Sequence, residues 1–400
     1  VNLDEIRLLD GAFYAGDPYP TYAWLREHSP VHWDASSGIW GLSRFDDIVE
    51  IEKSPRRYSS RPGSRPKTPP DGSMINSDDP HHNGRRRLIS ARFTPRAVRR
   101  HEGLVRRLVT DLIDGVIEKG ECEVVQELAA PLPAQVINAW LGFPPEMWRK
   151  CKEWSEITMW AGGQYQSGGR MVFGEVSAAL EAVAEFSQEV LALAALRRGQ
   201  PRDDLVSIWA NAEHDGRRLS DEEIVAESLL VLDGGAETTR SVIGTTVIDL
   251  IDHPEEYRKL VDDPSPAKMA VAVEEFIRWV SPILNMRRTA CETHELHGQT
   301  IREGDELLLM YPSANRDPAH FDDPDRYDVT RSRNQHLAFG FGTHFCLGAS
   351  VARMELRILF EELMKRIPDM RLASGPRPEF VPSAFARGPR EVHVEFTPSR

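Results

Sequence analysis

Cysteine is scarce: the 400 residues hold four, Cys122, Cys151, Cys291 and Cys346. They are scattered, with no C-x-x-C pair, which argues against a disulfide framework and a zinc site and fits a reducing cytosol. Long apolar runs are missing too. No stretch reaches the ~20 residues that span a bilayer, so no membrane anchor is expected. The first residues, VNLDEIRLLDGAFYAGDPYP, have neither a basic start nor an apolar core and do not read as a secretory leader, so a cytoplasmic protein is expected. Positive charge is in deficit, 49 Lys and Arg against 62 Asp and Glu, a net −13. That balance argues against a nucleic-acid partner and makes any local basic patch informative. No internal repeat and no long low-complexity segment interrupts the chain.

What is present is mostly helical. Helices are expected over Tyr19–Glu27, Asp46–Lys53, Lys268–Val280 and Ala349–Ile367, and helical patterning dominates from His81 to Asp252. Short β-prone runs, Val31–Trp33, Ile39–Leu42, Glu306–Met310 and Val392–Phe396, lie towards the two ends. The expected class is mainly α with small β-sheets, as a single domain over residues 1–400, since no composition shift marks a linker. Residues 61–80 are rich in Pro, Gly and Ser. A loop of that length in a compact domain is usually functional or disordered.

One stretch organises the rest: Phe339–Gly348, FGFGTHFCLG. Its glycines suit tight turns and close backbone approach. Cys346 ends up in a loop feeding a helix N-terminus, where the dipole and unpaired N–H groups favour a thiolate. A buried thiolate of this kind is what an axial haem ligand requires. Upstream, Ser220 and Glu223 form a capping box for a helix from Asp221 to about Asp252. At 1.5 Å per residue such a helix is about 48 Å long. Its middle reads GGAETT, Gly234–Thr239. Two adjacent glycines cost roughly 1 kcal/mol each there. Either another backbone packs closely against them, or the helix opens to make room for a ligand.

The spaced set Phe339, Gly342, His344, Cys346 and Gly348 resembles the haem-binding loop of the cytochrome P450 family, and the family's other motifs follow in order upstream. Microsomal members carry a membrane anchor, so the resemblance is to soluble, bacterial-type members. It implies a single triangular helical fold and a haem b cofactor, iron protoporphyrin IX. Cys346 would be the iron ligand, with Phe339, Gly340 and Gly348 around it. His82, Arg86, Arg287 and His344 would hold the propionates. His81 competes with His82 for that place, and the four-residue spacing to Arg86 favours His82. Glu237 and Thr238 match the acid–alcohol pair that manages protons in catalysis. Glu275 and Arg278, an E-x-x-R pair, would join Arg326 in a structural triad, with Glu274 the rival acid.

The resemblance also implies a substrate pocket of Leu229, Leu232, Asp233, Ile283, Leu284, Asn285 and Phe385, lidded by residues 61–80. A ferredoxin would dock on a basic face carrying Arg85, Arg92, Arg96 and Arg99. The implied activity is insertion of one oxygen atom of O2 into a C–H bond of a hydrophobic molecule. LAAPLPAQVI, GGAETTR and HLAFGFGTHFCLG are similar to actinobacterial members that hydroxylate steroids and branched lipids. A peroxide-driven peroxygenase and a haem-thiolate sensor are the alternatives.

Overall fold

The computed structural model describes residues 6–166 and 173–399. Residues 1–5, the start of the stretch read for a leader, lie outside them. A 32-residue helix, Asp221–Asp252, forms the axis of the molecule. Its capping box is closed in both directions. The Glu223 amide donates to Ser220 Oγ at 3.2 Å, and the Ser220 amide donates to Glu223 Oε2 at 2.7 Å. Three acids in its first turn complement the dipole. Helices Pro131–Leu141, Trp148–Gln166, Phe173–Gly199, Pro266–Val280 and Ala349–Arg366 all pack against it. The largest apolar core is built on these contacts and includes Ile137, Leu232, Val247, Phe276 and Leu359.

Three of the β-prone runs, Val31–Trp33, Ile39–Leu42 and Glu306–Met310, meet in one five-stranded sheet. Its order is Val31–Asp34, Ile39–Leu42, Glu306–Met310, Asn285–Ala290, Tyr58–Ser59. Ile39–Leu42 and Glu306–Met310 run parallel, with Leu307 opposite Trp40, and the other pairs are antiparallel. A second sheet of three strands joins Glu121–Glu123 to His393–Glu395 and Arg371–Leu372. The span from His81 to Asp252 is not all helix. A hairpin, Glu213–His214 with Arg217–Arg218, interrupts it. It turns on Asp215 and Gly216, both at positive φ, the Asp-Gly signature of a two-residue hairpin turn. Among the described residues, no helix is long and apolar enough to cross a membrane.

Candidate active site

The cysteine loop is shaped by its glycines. Gly340 and Gly342 sit at φ +66° and +65°, and a Cβ on Gly342 would lie 2.5 Å from the Glu52 carbonyl oxygen. The Cys346 amide donates to the Phe339 carbonyl at 2.8 Å, closing the loop. Gly348 then caps the helix Ala349–Arg366. Burial raises the Cys346 thiol above its ordinary value, while the Gly348 and Ala349 amides and the Arg86 and Arg353 guanidinium groups pull it down. Burial wins, so the helix N-terminus alone does not make the thiolate. A cation bound at sulfur would.

Cys346 lines a cavity that the central helix also walls, through Leu230, Val231, Gly234, Gly235 and Thr238. The two glycines there differ. Gly234 has nothing within 4 Å of a Cβ position, whereas a Cβ on Gly235 would lie 2.4 Å from Ile137 Cδ1. One glycine opens the cavity and the other admits a neighbouring helix. Thr238 Oγ1 donates to the Gly234 carbonyl at 2.8 Å. Glu237 is not part of the cavity wall. It turns aside to pair with Arg240, and burial raises its carboxyl while Arg240 lowers it.

Cationic groups and donors converge at one end of the cavity. His82, Arg86, Arg288 and His344 all line it. The His82 and His344 rings lie 4.1 Å apart. Burial, then the neighbouring Arg86, pushes His82 down to about 4. Burial, then Arg288, His82 and Arg86, pushes His344 down to about 2. His82 Nδ1 is buried without a hydrogen-bond partner.

Several expected positions differ from the observed ones. Arg287 points away from the cavity. It donates to the Gly63 carbonyl at 2.8 Å and to Glu306 at 2.9 Å. In strand Asn285–Ala290 alternate residues face opposite sides, so Met286 and Arg288 reach the cavity instead. Arg326 is 63% exposed and pairs with Asp328 and Asp323, so it does not complete the triad. Arg331 does, with Nε 3.2 Å from Glu275. Glu275 also takes both bonds from Arg278 at 2.8 Å and one from Asn334 at 2.9 Å. Glu274 is used elsewhere, by Arg353 and His336.

In the pocket, Ile283 and Phe385 line the cavity, but Leu229, Leu232, Asp233, Leu284 and Asn285 do not. Leu229 and Leu232 join the apolar core. Asp233 accepts from Thr158 at 2.7 Å, and Asn285 donates to the Ala384 carbonyl at 2.8 Å. Leu284 is packed into an N-terminal cluster. Arg85 is also displaced from its expected place on a basic face. It is 3% exposed and bound to Glu223 and Glu227. Among the wall residues that sequence reasoning missed are Glu52, Tyr311 and Glu355. Glu52 accepts from Tyr311 at 2.9 Å and Arg288 at 3.2 Å. Burial raises it to about 7 against the pull of Arg288.

Known proteins resolve what this arrangement is. A cytochrome P450 family model matches residues 269–390. A steroid C26-monooxygenase of Mycolicibacterium smegmatis is 39% identical over 396 residues, covering 99% of this chain and 97% of its own. The chain belongs to the cytochrome P450 family. A methyl-branched lipid omega-hydroxylase of Mycobacterium bovis is 36% identical over 414 residues, covering 98% of this P450 and 92% of its own chain. A Mycobacterium marinum P450 solved with pseudoionone superposes with a TM-score of 0.88 at 32% identity, covering 96% and 97%. A Bacillus megaterium P450 solved with testosterone gives 0.86 at 30%, covering 96% and 98%. This P450 is therefore a haem-thiolate monooxygenase, with the need for reducing equivalents and the hydrophobic substrate that the family implies.

The residues present fit the haem. Burial and the neighbouring Arg86 and Arg288 hold His82 and His344 down, and His82 Nδ1 is buried without a hydrogen-bond partner, a condition that incoming propionates would relieve. Cys346 offers one sulfur, inside the cavity.

Proposed function

We propose that this P450 hydroxylates an unactivated C–H bond of a steroid- or branched-lipid-like substrate, using haem b and electrons from an acidic ferredoxin in the cytoplasm. The observation that carries the reading is one cavity that holds Cys346 and Thr238 together with a set of apolar side chains. They include Met74, Ile75, Met159, Leu230, Ile283 and Phe385. The steroid C26-monooxygenase and the lipid omega-hydroxylase support the substrate class. The Arg65 guanidinium, 4.4 Å over the Phe385 ring, adds a polar point beside these side chains. It would orient the polar end of such a molecule. The four free cysteines support a reducing compartment.

Haem supplies oxygen activation when bound, with the thiolate donating electron density to iron. The chain supplies the rest. Cys346 ligates, and His82, Arg86, Arg288 and His344 anchor the propionates. Gly234 leaves space beside Thr238, whose hydroxyl is already oriented by the Gly234 carbonyl. Thr238 donates a proton into that space, and Glu237 restores it by leaving its pair with Arg240 and turning towards the cavity. Met74 and Ile75, from the 61–80 segment, exclude water.

Optical titration of the ferric enzyme tests the substrate class. Cholestane-type steroids or methyl-branched fatty acids should shift iron from low to high spin by displacing its water. If both leave the spectrum unchanged while a macrolide or a straight-chain acid shifts it, the substrate reading fails. For the proton route, Thr238→Ala should keep the binding constant within about threefold and release most reducing equivalents as hydrogen peroxide. Coupling equal to wild type would remove Thr238 from that role.

A further inference from the structure

We infer that this P450 carries a zinc site outside the haem cavity, formed by His81, His214 and Asp215. These residues bring one ligand atom each to a common point. His81 Nδ1 and His214 Nε2 are 3.3 Å apart. Asp215 Oδ2 is 3.5 Å from His81 Nδ1 and 3.3 Å from His214 Nε2. Ligands about 2.0–2.1 Å from a tetrahedral zinc stand about 3.3–3.4 Å from one another. An octahedral ion of the same bond length would need them about 2.9 Å apart. The three separations match a face of the tetrahedron and leave its fourth corner for water. The two imidazoles favour zinc over calcium or magnesium, and a carboxylate oxygen is a common third ligand to it.

Two local features build the face. The hairpin turn, with Asp215 at φ +52° and Gly216 at +74°, places Asp215 immediately after His214 with its carboxylate turned back. The helix His81–Ser90 has a glycine where the His214 ring lies. A Cβ on Gly84 would sit 2.2 Å from His214 Cε1 and 2.9 Å from its Nδ1. Only the bare backbone admits the imidazole there. The ring is nearly enclosed, its side chain 11% exposed, while the carboxylate is open to solvent at 70%. A metal here would join the hairpin that leads into the central helix to the first turn of the helix carrying His82 and Arg86.

The test titrates metal-stripped, haem-loaded enzyme with Zn2+ against a competing fluorescent chelator. One equivalent should bind to wild type. His214→Ala and Asp215→Ala should each weaken it at least about tenfold, and the His81→Ala/His214→Ala double variant should abolish it. Gly84→Ala, which keeps all three ligands but displaces the His214 ring, should weaken it as well. An unchanged haem spectrum in each variant shows that the fold survives. Absorption at the zinc K-edge should report only nitrogen and oxygen neighbours, and Zn2+ should raise the melting temperature of wild type but not of the double variant. Equal binding in the double variant, a sulfur neighbour, or no binding to wild type would each overturn the site.

Discussion

Glu355 is fully buried in the cavity wall, on the helix that follows Cys346, and burial raises its carboxyl to about 8 against the bond from Thr239. In the unfolded chain it titrates near 4.5. Between those two values the folded protein holds a proton that the unfolded chain has released. Stability therefore falls as pH rises from about 4.5 to about 8. Glu355→Gln removes this dependence while keeping an acceptor for Thr239. Melting curves of the variant should coincide with wild type near pH 4.5 and lie above it at pH 8, by ~4 kcal/mol at most. A difference that stays constant with pH would show that Glu355 titrates normally. A second residue-scale prediction concerns the two arginines near Glu275. Arg331→Ala strands part of a fully buried carboxylate and should cost ~3 kcal/mol. Arg326→Ala removes a guanidinium that sits in solvent and should have a much smaller effect. Paired thermal or urea unfolding checks both, and the order of the two effects is the decisive reading.

The central helix shows which structure was legible in the chain and which was not. Its ends were, because a capping box is a local signal written in Ser220 and Glu223. Its pocket-facing side was not. Helices pack on it from several directions and its buried residues lie all round it, so no amphipathic stripe distinguishes Leu229 and Leu232 from Leu230 and Val231. The strand after it failed for a similar reason. Arg287 and Arg288 are adjacent arginines, and in a strand one step changes the face. Arg331 lies in a meander with no period at all, where only the tertiary contact to Glu275 singles it out. The cysteine loop was legible because its glycines and its sulfur are chemistry rather than periodicity. Gly234 gives an element-scale prediction. Gly234→Ala should stabilise the helix by ~1 kcal/mol, since nothing stands in the way of the methyl group. The same methyl enters the space beside Thr238, so the high-spin shift on adding substrate should shrink. A variant that gained stability and kept the full shift would show that the opening at Gly234 is not used.

At the scale of the whole molecule, charge is distributed against its sum. The chain carries a net −13, yet Arg96, Arg99 and Arg100 are all exposed in a short segment. The turn Pro95–Val98 packs on the helix Ala349–Arg366, which begins three residues after Cys346. An acidic electron donor drawn to these arginines would arrive on the sulfur side of the cavity. Arg85 cannot share that task. Its guanidinium is held inside by Glu223, Glu227 and the Gly72 carbonyl, and Glu227 also takes the Met74 amide at 2.9 Å. It ties the 61–80 segment to the central helix. The two kinds of arginine should therefore separate experimentally. Arg96→Glu and Arg99→Glu should each slow reduction by an acidic ferredoxin about tenfold at low ionic strength, with no change in the substrate titration. The deficit should close near 1 M salt, where the Debye length is about 3 Å. Arg85→Gln should instead lower stability and substrate binding at every salt concentration, because the charge it leaves unpaired is buried. Salt-independent losses at Arg96 and Arg99 would mean that these side chains do not steer the donor, and would move the docking face elsewhere on the surface.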